Sequence, residues 1–233
     1  MTTKFTVSAV LGVALAGTVG AADAQGLRPV GDNRFDLGFV GLLAQPTGEF
    51  ADYVGLGGGV GAHAVWTPGG VLGLRADASY LIYGSETRRY QLVPLVDVDV
   101  TTRNQIAAFH LGPQLTLGGD AAQVYGFAEL GFSYFFTSSD VSGSGNIEPF
   151  ANTTNFDDFT FATGAGGGVR LAVARGRVPV SLDLGARYLY NGRVSYLREG
   201  SVTIQGGTVY YAPIRSQTNL VLYHFGVTIG LGR

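Results

Sequence analysis

The sequence predicts an all-β fold, with eight antiparallel strands closed into a transmembrane barrel. Three observations lead there. In eight segments, apolar residues alternate with small or polar ones at period two, the mark of a strand with two unlike faces. The connections between these segments alternate between short and long. The polar faces consist of glycine, serine, threonine and isolated charges, too little charge for a surface that meets water. With the apolar faces turned to lipid, that same composition suits a barrel interior.

Bulk composition agrees. The chain has 233 residues, enough for one sizeable domain. Charged residues make up 14%, against about a quarter in ordinary soluble domains. The formal net charge is −2, and nothing suggests a polyanion-binding surface, which argues against nucleic acid as a partner. The 37 glycines follow no triplet period. The absence of cysteine excludes disulfides, thiolate nucleophiles and cysteine metal sites.

The first residues, MTTKFTVSAVLGVALAGTVGAADAQG, carry a single lysine, Lys4, then an apolar run through Val19 and small residues around Ala22-Asp23-Ala24. This is the layout of a secretory signal peptide. The predicted organisation is a signal over residues 1–24, cleaved after Ala24, an N-terminal periplasmic segment over 25–33, and a barrel domain over 34–233. No later apolar run is long enough for a helical span, about 18 residues.

The elements follow in order. The first segment runs Arg34 to Pro46 and the second Tyr53 to Trp66, which a Thr67-Pro68-Gly69-Gly70 turn joins to the third, Val71 to Tyr83. The fourth covers Arg103 to Leu117, and a short Gly118-Gly119-Asp120 turn leads to the fifth, Ala121 to Phe136. The sixth runs Phe159 to Val173, the seventh Val180 to Tyr190, and the eighth Gln217 to Gly232. Connections after the second, fourth and sixth are short; the others are longer. Transmembrane barrels sort their loops this way, with short periplasmic turns and longer extracellular loops. Two long connections hold further strand text: Leu92 to Val100, and Val202 to Tyr211, a hairpin around Gly206-Gly207. Some strands should therefore extend beyond the bilayer as ribbons.

Parity assigns the faces. In the third segment Leu72, Leu74, Ala76, Ala78, Tyr80 and Ile82 share one face, while Gly73, Arg75, Asp77 and Ser79 share the other. The predicted interior polar network is Asp36, Arg75, Asp77, His110, Gln114, Glu129, Arg170, Asp183 and Arg187, joined by His63 and His224. Buried charges must be paired, and the expected pairs are Arg75 with Asp77, Asp183 with Arg187, and Glu129 with Arg170. Eight strands leave only enough lumen for side chains to fill, so Gly164, Gly166 and Gly168 should make room for bulky groups from elsewhere. Aromatics near strand ends form the predicted interfacial girdles: Tyr80, Tyr83, Phe132, Tyr134, Phe136, Phe159, Tyr188 and Tyr190 beside the long loops, and Trp66 beside a short turn.

No catalytic, cofactor-binding or metal-ligating residue is predicted. His224 is the one histidine near an outer strand end, but local sequence sets no serine beside it for nucleophilic catalysis. The three histidines do not form a local metal motif. The alternatives to a structural or surface-interaction barrel are a narrow pore or lateral path for small solutes, a lipid A-modifying enzyme, and a soluble secreted barrel for a hydrophobic ligand.

The text of the strands, FDLGFVGLL, FAELGFSYFF, LDLGARYLY and YHFGVTIGLG, together with the signal, the loop parity and the count of eight, resembles the small bacterial outer-membrane barrels of the OmpA-like and OmpX-like kind. The resemblance covers about residues 30–233. It implies an outer-membrane location in a Gram-negative bacterium and a periplasmic N-terminus. It further implies insertion by the barrel assembly machinery, contact with outer-membrane lipids and lipopolysaccharide, a monomer, and a ligand reached through the outer loops. Many such proteins end in an aromatic residue; this chain departs from that with Gly230-Leu231-Gly232-Arg233. A C-terminal peptidoglycan-binding domain is not expected.

Overall fold

The structure is a computed structural model that describes residues 34–93, 96–143, 149–205 and 208–231. The signal and the segment over 25–33 lie outside the described residues. Eight strands close into a barrel: β1 (Arg34–Pro46), β2 (Gly57–Thr67), β3 (Leu72–Val93), β4 (Val96–Gly118), β5 (Ala122–Gly143), β6 (Pro149–Ala174), β7 (Val180–Asn191) and β12 (Leu220–Leu231). Each pairs antiparallel with its neighbours, and β1 meets β12 from Phe35↔Leu231 to Pro46↔Leu220. Between β7 and β12 lie four short strands, β8 (Arg193–Tyr196), β9 (Val202–Gln205), β10 (Thr208–Tyr211) and β11 (Ile214–Gln217). They form two small sheets, β8 with β11 and β9 with β10. The Gly206-Gly207 turn of the latter lies outside the described residues.

Several boundaries differ from the sequence reading: β3 runs on to Val93, β4 begins at Val96, β5 runs on to Gly143 and β6 begins at Pro149, as ribbons beyond the predicted ends, and two strand starts move the other way. The second segment starts at Gly57 and not at Tyr53, because Gly48–Asp52 coils into one turn of 3-10 helix that buries Phe50. The eighth starts at Leu220, because Ile214–Gln217 pairs with β8.

Strand lengths are unequal. β1, β2, β7 and β12 have 11 to 13 residues, close to the roughly ten that cross a bilayer. β3 to β6 have 22 to 26. Their surplus stands as a four-stranded curtain beyond the end that carries the long loops, here called outer. Residues 92–100 fall in the β3–β4 ribbon of this curtain, with 94 and 95 outside the described residues.

Glycine permits the tight closure. A side chain at Gly112 would sit 1.9 Å from the Ala128 carbonyl oxygen, and one at Gly131 would sit 1.9 Å from that of Phe109. Only a residue without Cβ lets β4 and β5 coil this closely.

The outward faces are apolar from strand to strand. Phe39, Leu74, Leu111, Leu130, Phe161, Leu171, Leu184 and Phe225 are exposed, with Leu130 at 70% and Phe161 at 79%. A belt of this extent is made for lipid, since monomeric soluble proteins rarely expose contiguous apolar patches above a few hundred Å². Tyr80, Phe132, Tyr134, Phe136, Phe159, Tyr188 and Tyr190 point outward at its outer margin and Trp66 at the opposite one. Tyr83 is a correction. It is only 8% exposed and points into the barrel against Phe50, Phe135 and Tyr196. Odd-numbered positions of β3 face inward, and the register shift between Ile82 and Gly84 places Tyr83 at an irregularity over the lumen.

Leu130 lies midway along the outward face of β5. Leu130→Arg should destabilise the barrel by about 2–4 kcal/mol in denaturant titration from liposomes. A loss under about 1 kcal/mol would place Leu130 away from the bilayer centre.

Candidate functional site

The candidate site is the lumen, built in layers by the inward positions of the eight strands. Nearest the short-turn end, Asp183 of β7 is fully buried and collects partners from four other strands. Tyr125 Oη donates to its Oδ1 at 2.5 Å, Thr228 Oγ1 donates to Oδ2 at 2.8 Å and Arg170 Nε donates to Oδ2 at 3.2 Å. His63 Nε2 and His224 Nε2 each lie 3.4 Å from the carboxylate. Arg170 also donates to Asp36 at 3.1 Å, and Arg34 at the rim reaches Asp36 at 2.6 Å.

A second layer sits above. Arg75 forks onto Asp77 at 2.5 and 2.9 Å and donates to Gln114 Oε1 at 2.9 Å. Arg187 lies 3.2 Å from Asp77 and 3.3 Å from Glu129. The planar guanidinium suits such bridging. Four buried carboxylates, Asp36, Asp77, Glu129 and Asp183, thus face Arg75, Arg170 and Arg187, and Arg34 supplies the fourth positive charge. A small cavity lined by Val40, Leu42, Gly61, Arg75, Asp77, Arg187 and His224 marks the upper limit of this layer.

Of the expected pairs, Arg75 with Asp77 forms. Asp183 and Arg187 do not meet, since four residues along a strand is about 13 Å and each reaches across the lumen instead. Glu129 and Arg170 do not meet either: the register sets Glu129 opposite Gly164 and Arg170 opposite Gln123, six residues away. His110 is 0% exposed and neither of its ring nitrogens has a hydrogen-bond partner among the described residues.

Sequence reading missed the inward aromatics of β5. Tyr125 pairs opposite Gly168 and Phe127 opposite Gly166. A Cβ at Gly168 would lie 2.6 Å from the Tyr125 hydroxyl, and one at Gly166 would lie 2.8 Å from the Phe127 ring. The rings stack on the arginines, with Arg75 Cζ 4.4 Å from the Phe127 centroid and Arg170 Cζ 4.8 Å from that of Tyr125. The available signal was two bulky inward positions beside a strand with three inward glycines.

Toward the outer end the lumen turns apolar. Leu42, Leu81, Ile106, Phe135, Leu189, Leu220 and Leu222 line a buried cluster, with the Ser133–Asn191 and Thr137–Asn104 hydrogen bonds set among and beyond them. Two connections close it. Phe50, from the one between β1 and β2, is 0% exposed and ringed edge-on by Tyr83, Phe135 and Tyr196 at 5.7, 6.1 and 5.1 Å. Val194 and Tyr196 come from the one between β7 and β12.

The arrangement is suited to packing more than to chemistry. His224 touches Tyr125 and Asp183 inside the lumen, away from the lipid-facing surface. Among the described residues no group of three metal-ligating side chains is placed to hold a metal ion.

Arg170→Leu would leave Asp36 and Asp183 without their shared cation, and should cost about 3–5 kcal/mol of stability. Arg193→Leu, which removes an exposed pair with Glu49, should cost under about 1 kcal/mol. Parallel urea titrations of the refolded variants check the contrast.

No protein-family model matches the sequence, and no curated protein does. Among solved structures, the chain is similar to Neisserial surface protein A, with 18% identity and a TM-score of 0.42, over 84% of this chain and 96% of that one. It is also similar to Ail, the attachment invasion locus protein of Yersinia pestis, with 11% identity and a TM-score of 0.42, over 86% and 100%. The N-terminal β-barrel domain of Pseudomonas aeruginosa OprF gives 11% and 0.36, over 86% and 99%. The strand pairing above defines the fold independently of these likenesses.

Proposed function

We propose that the protein is a non-enzymatic outer-membrane barrel of a Gram-negative bacterium, with a structural or surface-interaction role and no open pore. The observation that carries this reading is the filled lumen. A solute entering from the short-turn end would meet two layers of paired charge and then an apolar plug. An ion crossing that plug would lose its hydration with no replacement ligand. Lipids and lipopolysaccharide would surround the belt, the assembly machinery would insert the chain, and a monomer would suffice because the barrel is closed.

The curtain supports the surface role. β7 stops pairing with β6 at Ala162↔Asn191. Above that point β6 turns one edge to no strand among the described residues, although β8 donates the Ser195 N–H to Asp158 there at 2.9 Å. Open edges are where extended segments of other proteins add as strands.

Purified protein refolded into planar bilayers should give no large, stable single-channel steps, while Phe50→Gly, which opens the plug, should raise the frequency of brief openings. Reproducible conductance steps from the unaltered protein would favour the narrow-pore alternative. Membrane fractionation tests the soluble-barrel alternative, and an acyl-chain mass change in lipid A after expression would favour the enzyme alternative.

A further inference from the structure

The three short turns are unequally charged. Residues 68–71, between β2 and β3, carry no charge; residues 119–121, between β4 and β5, carry Asp120; residues 175–179, between β6 and β7, carry Arg175 and Arg177. Both arginines are exposed, and neither meets a carboxylate among the described residues. Arg34, Arg88, Arg89, Arg103 and Arg193 each do meet one. The Ala172 N–H donates to the Ala121 carbonyl at 2.9 Å, which sets the Asp120 turn beside the arginine turn, yet Asp120 engages neither guanidinium.

The arginine turn stands at the edge of the apolar belt. Val173, just before it, is 65% exposed, and Val178, within it, is 52% exposed. Leu171 and Val173 end the outward apolar run of β6, so Arg175 follows where hydrocarbon gives way to headgroups. The turn is fixed in place, because the Gly230 N–H of β12 donates to the Pro179 carbonyl at 2.9 Å. Its tip is open: a Cβ at Gly176, between the two arginines, would meet nothing within 4 Å. We propose that Arg175 and Arg177 form a contact site for an anionic phospholipid, their guanidinium groups holding headgroup phosphate oxygens of the leaflet at the short-turn end.

The surroundings select lipid as the occupant. The bare valines on both sides belong in hydrocarbon, and an arginine on its flexible stem reaches from that level to the headgroups. A soluble acid would have to displace those headgroups to reach the same side chains. The guanidinium fork matches phosphate oxygens in geometry as well as charge, and each arginine near an anionic surface is worth about fivefold in occupancy. The site belongs to one wall of the barrel. On the opposite wall, four strands around the ring, the neutral β2–β3 turn sets the exposed Trp66 at the margin instead, and an indole settles in the interface without charge.

Native mass spectrometry tests this on the full-length protein refolded into micelles that hold equal amounts of phosphatidylglycerol and phosphatidylcholine. The unaltered protein should retain phosphatidylglycerol over phosphatidylcholine by about tenfold or more. Arg175→Gln with Arg177→Gln should lower that ratio by about tenfold. Arg215→Gln, which removes an exposed arginine from the β8–β11 sheet over the mouth, should leave it unchanged. A heat-modifiable gel shift shows that each variant has folded. No preference in the unaltered protein, a preference that survives in the double variant, or an equal fall with Arg215→Gln would overturn the site. Millimolar inorganic phosphate should leave the lipid bound, and displacement by phosphate alone would overturn lipid as the ligand. That this leaflet is the periplasmic one rests on the outer-membrane reading proposed above; the lipid ratio does not.

Discussion

In hydrocarbon, every backbone N–H and C=O must find a partner within the protein. That constraint organises this molecule. A sheet in lipid cannot keep an edge, so β1 must return to β12, and the pairing from Phe35↔Leu231 to Pro46↔Leu220 completes the ring. Outside the lipid the constraint lapses, and there the sheet does keep edges: β6 above Ala162 keeps only β5 as a barrel partner, and β3 above Ile82 keeps only β4. Closed belt and open curtain are two answers to one question about where backbone polar groups find partners.

Closure with eight strands leaves a lumen that side chains must fill. The filling is layered. Near the short-turn end it is ionic, and the arginines are shared: Arg170 between Asp36 and Asp183, Arg187 between Asp77 and Glu129. Sharing leaves no carboxylate without a cation in a region where an unpaired charge is costly. Tyr125 and Phe127 occupy the space that Gly166 and Gly168 vacate and give Arg75 and Arg170 flat surfaces to stack on. Near the long-loop end the filling is apolar, and the connections supply what the walls lack. Phe50 is carried into the mouth by a single 3-10 turn. The same lumen thus has a charged base and an apolar stopper.

The outer connections are held by burial and by carboxylates on backbone amides together. Burial holds Phe50, Val194 and Tyr196. Asp158 and Glu49 accept the Ser195 and Gln217 amides of the β8–β11 sheet, while Glu199 accepts the Ser85 amide and Glu86 the Gly200 amide where the turn after β8 meets β3.

The sequence by itself determined the fold class, the strand count and the sense of the sheet. Those follow from local quantities: period-two alternation, turn chemistry and the scarcity of charge on the polar face. It also placed Asp36, Arg75, Asp77, Glu129, Arg170, Asp183 and Arg187 on inward positions, because parity is local. It paired Arg75 with Asp77 since both sit on one strand, two residues apart. Only the tertiary structure decided the rest. Register is a relation between strands, and it set Glu129 opposite Gly164, so Arg170 went to Asp36 and Asp183 instead. An irregularity in β3 and a ring of aromatics took Tyr83 out of the girdle and into the lumen. The plug at Phe50 and the hydrogen bonds of Glu86 with Gly200 and of Glu199 with Ser85 join residues far apart in the chain. No local pattern encodes such contacts, because they exist only once closure has brought their strands together.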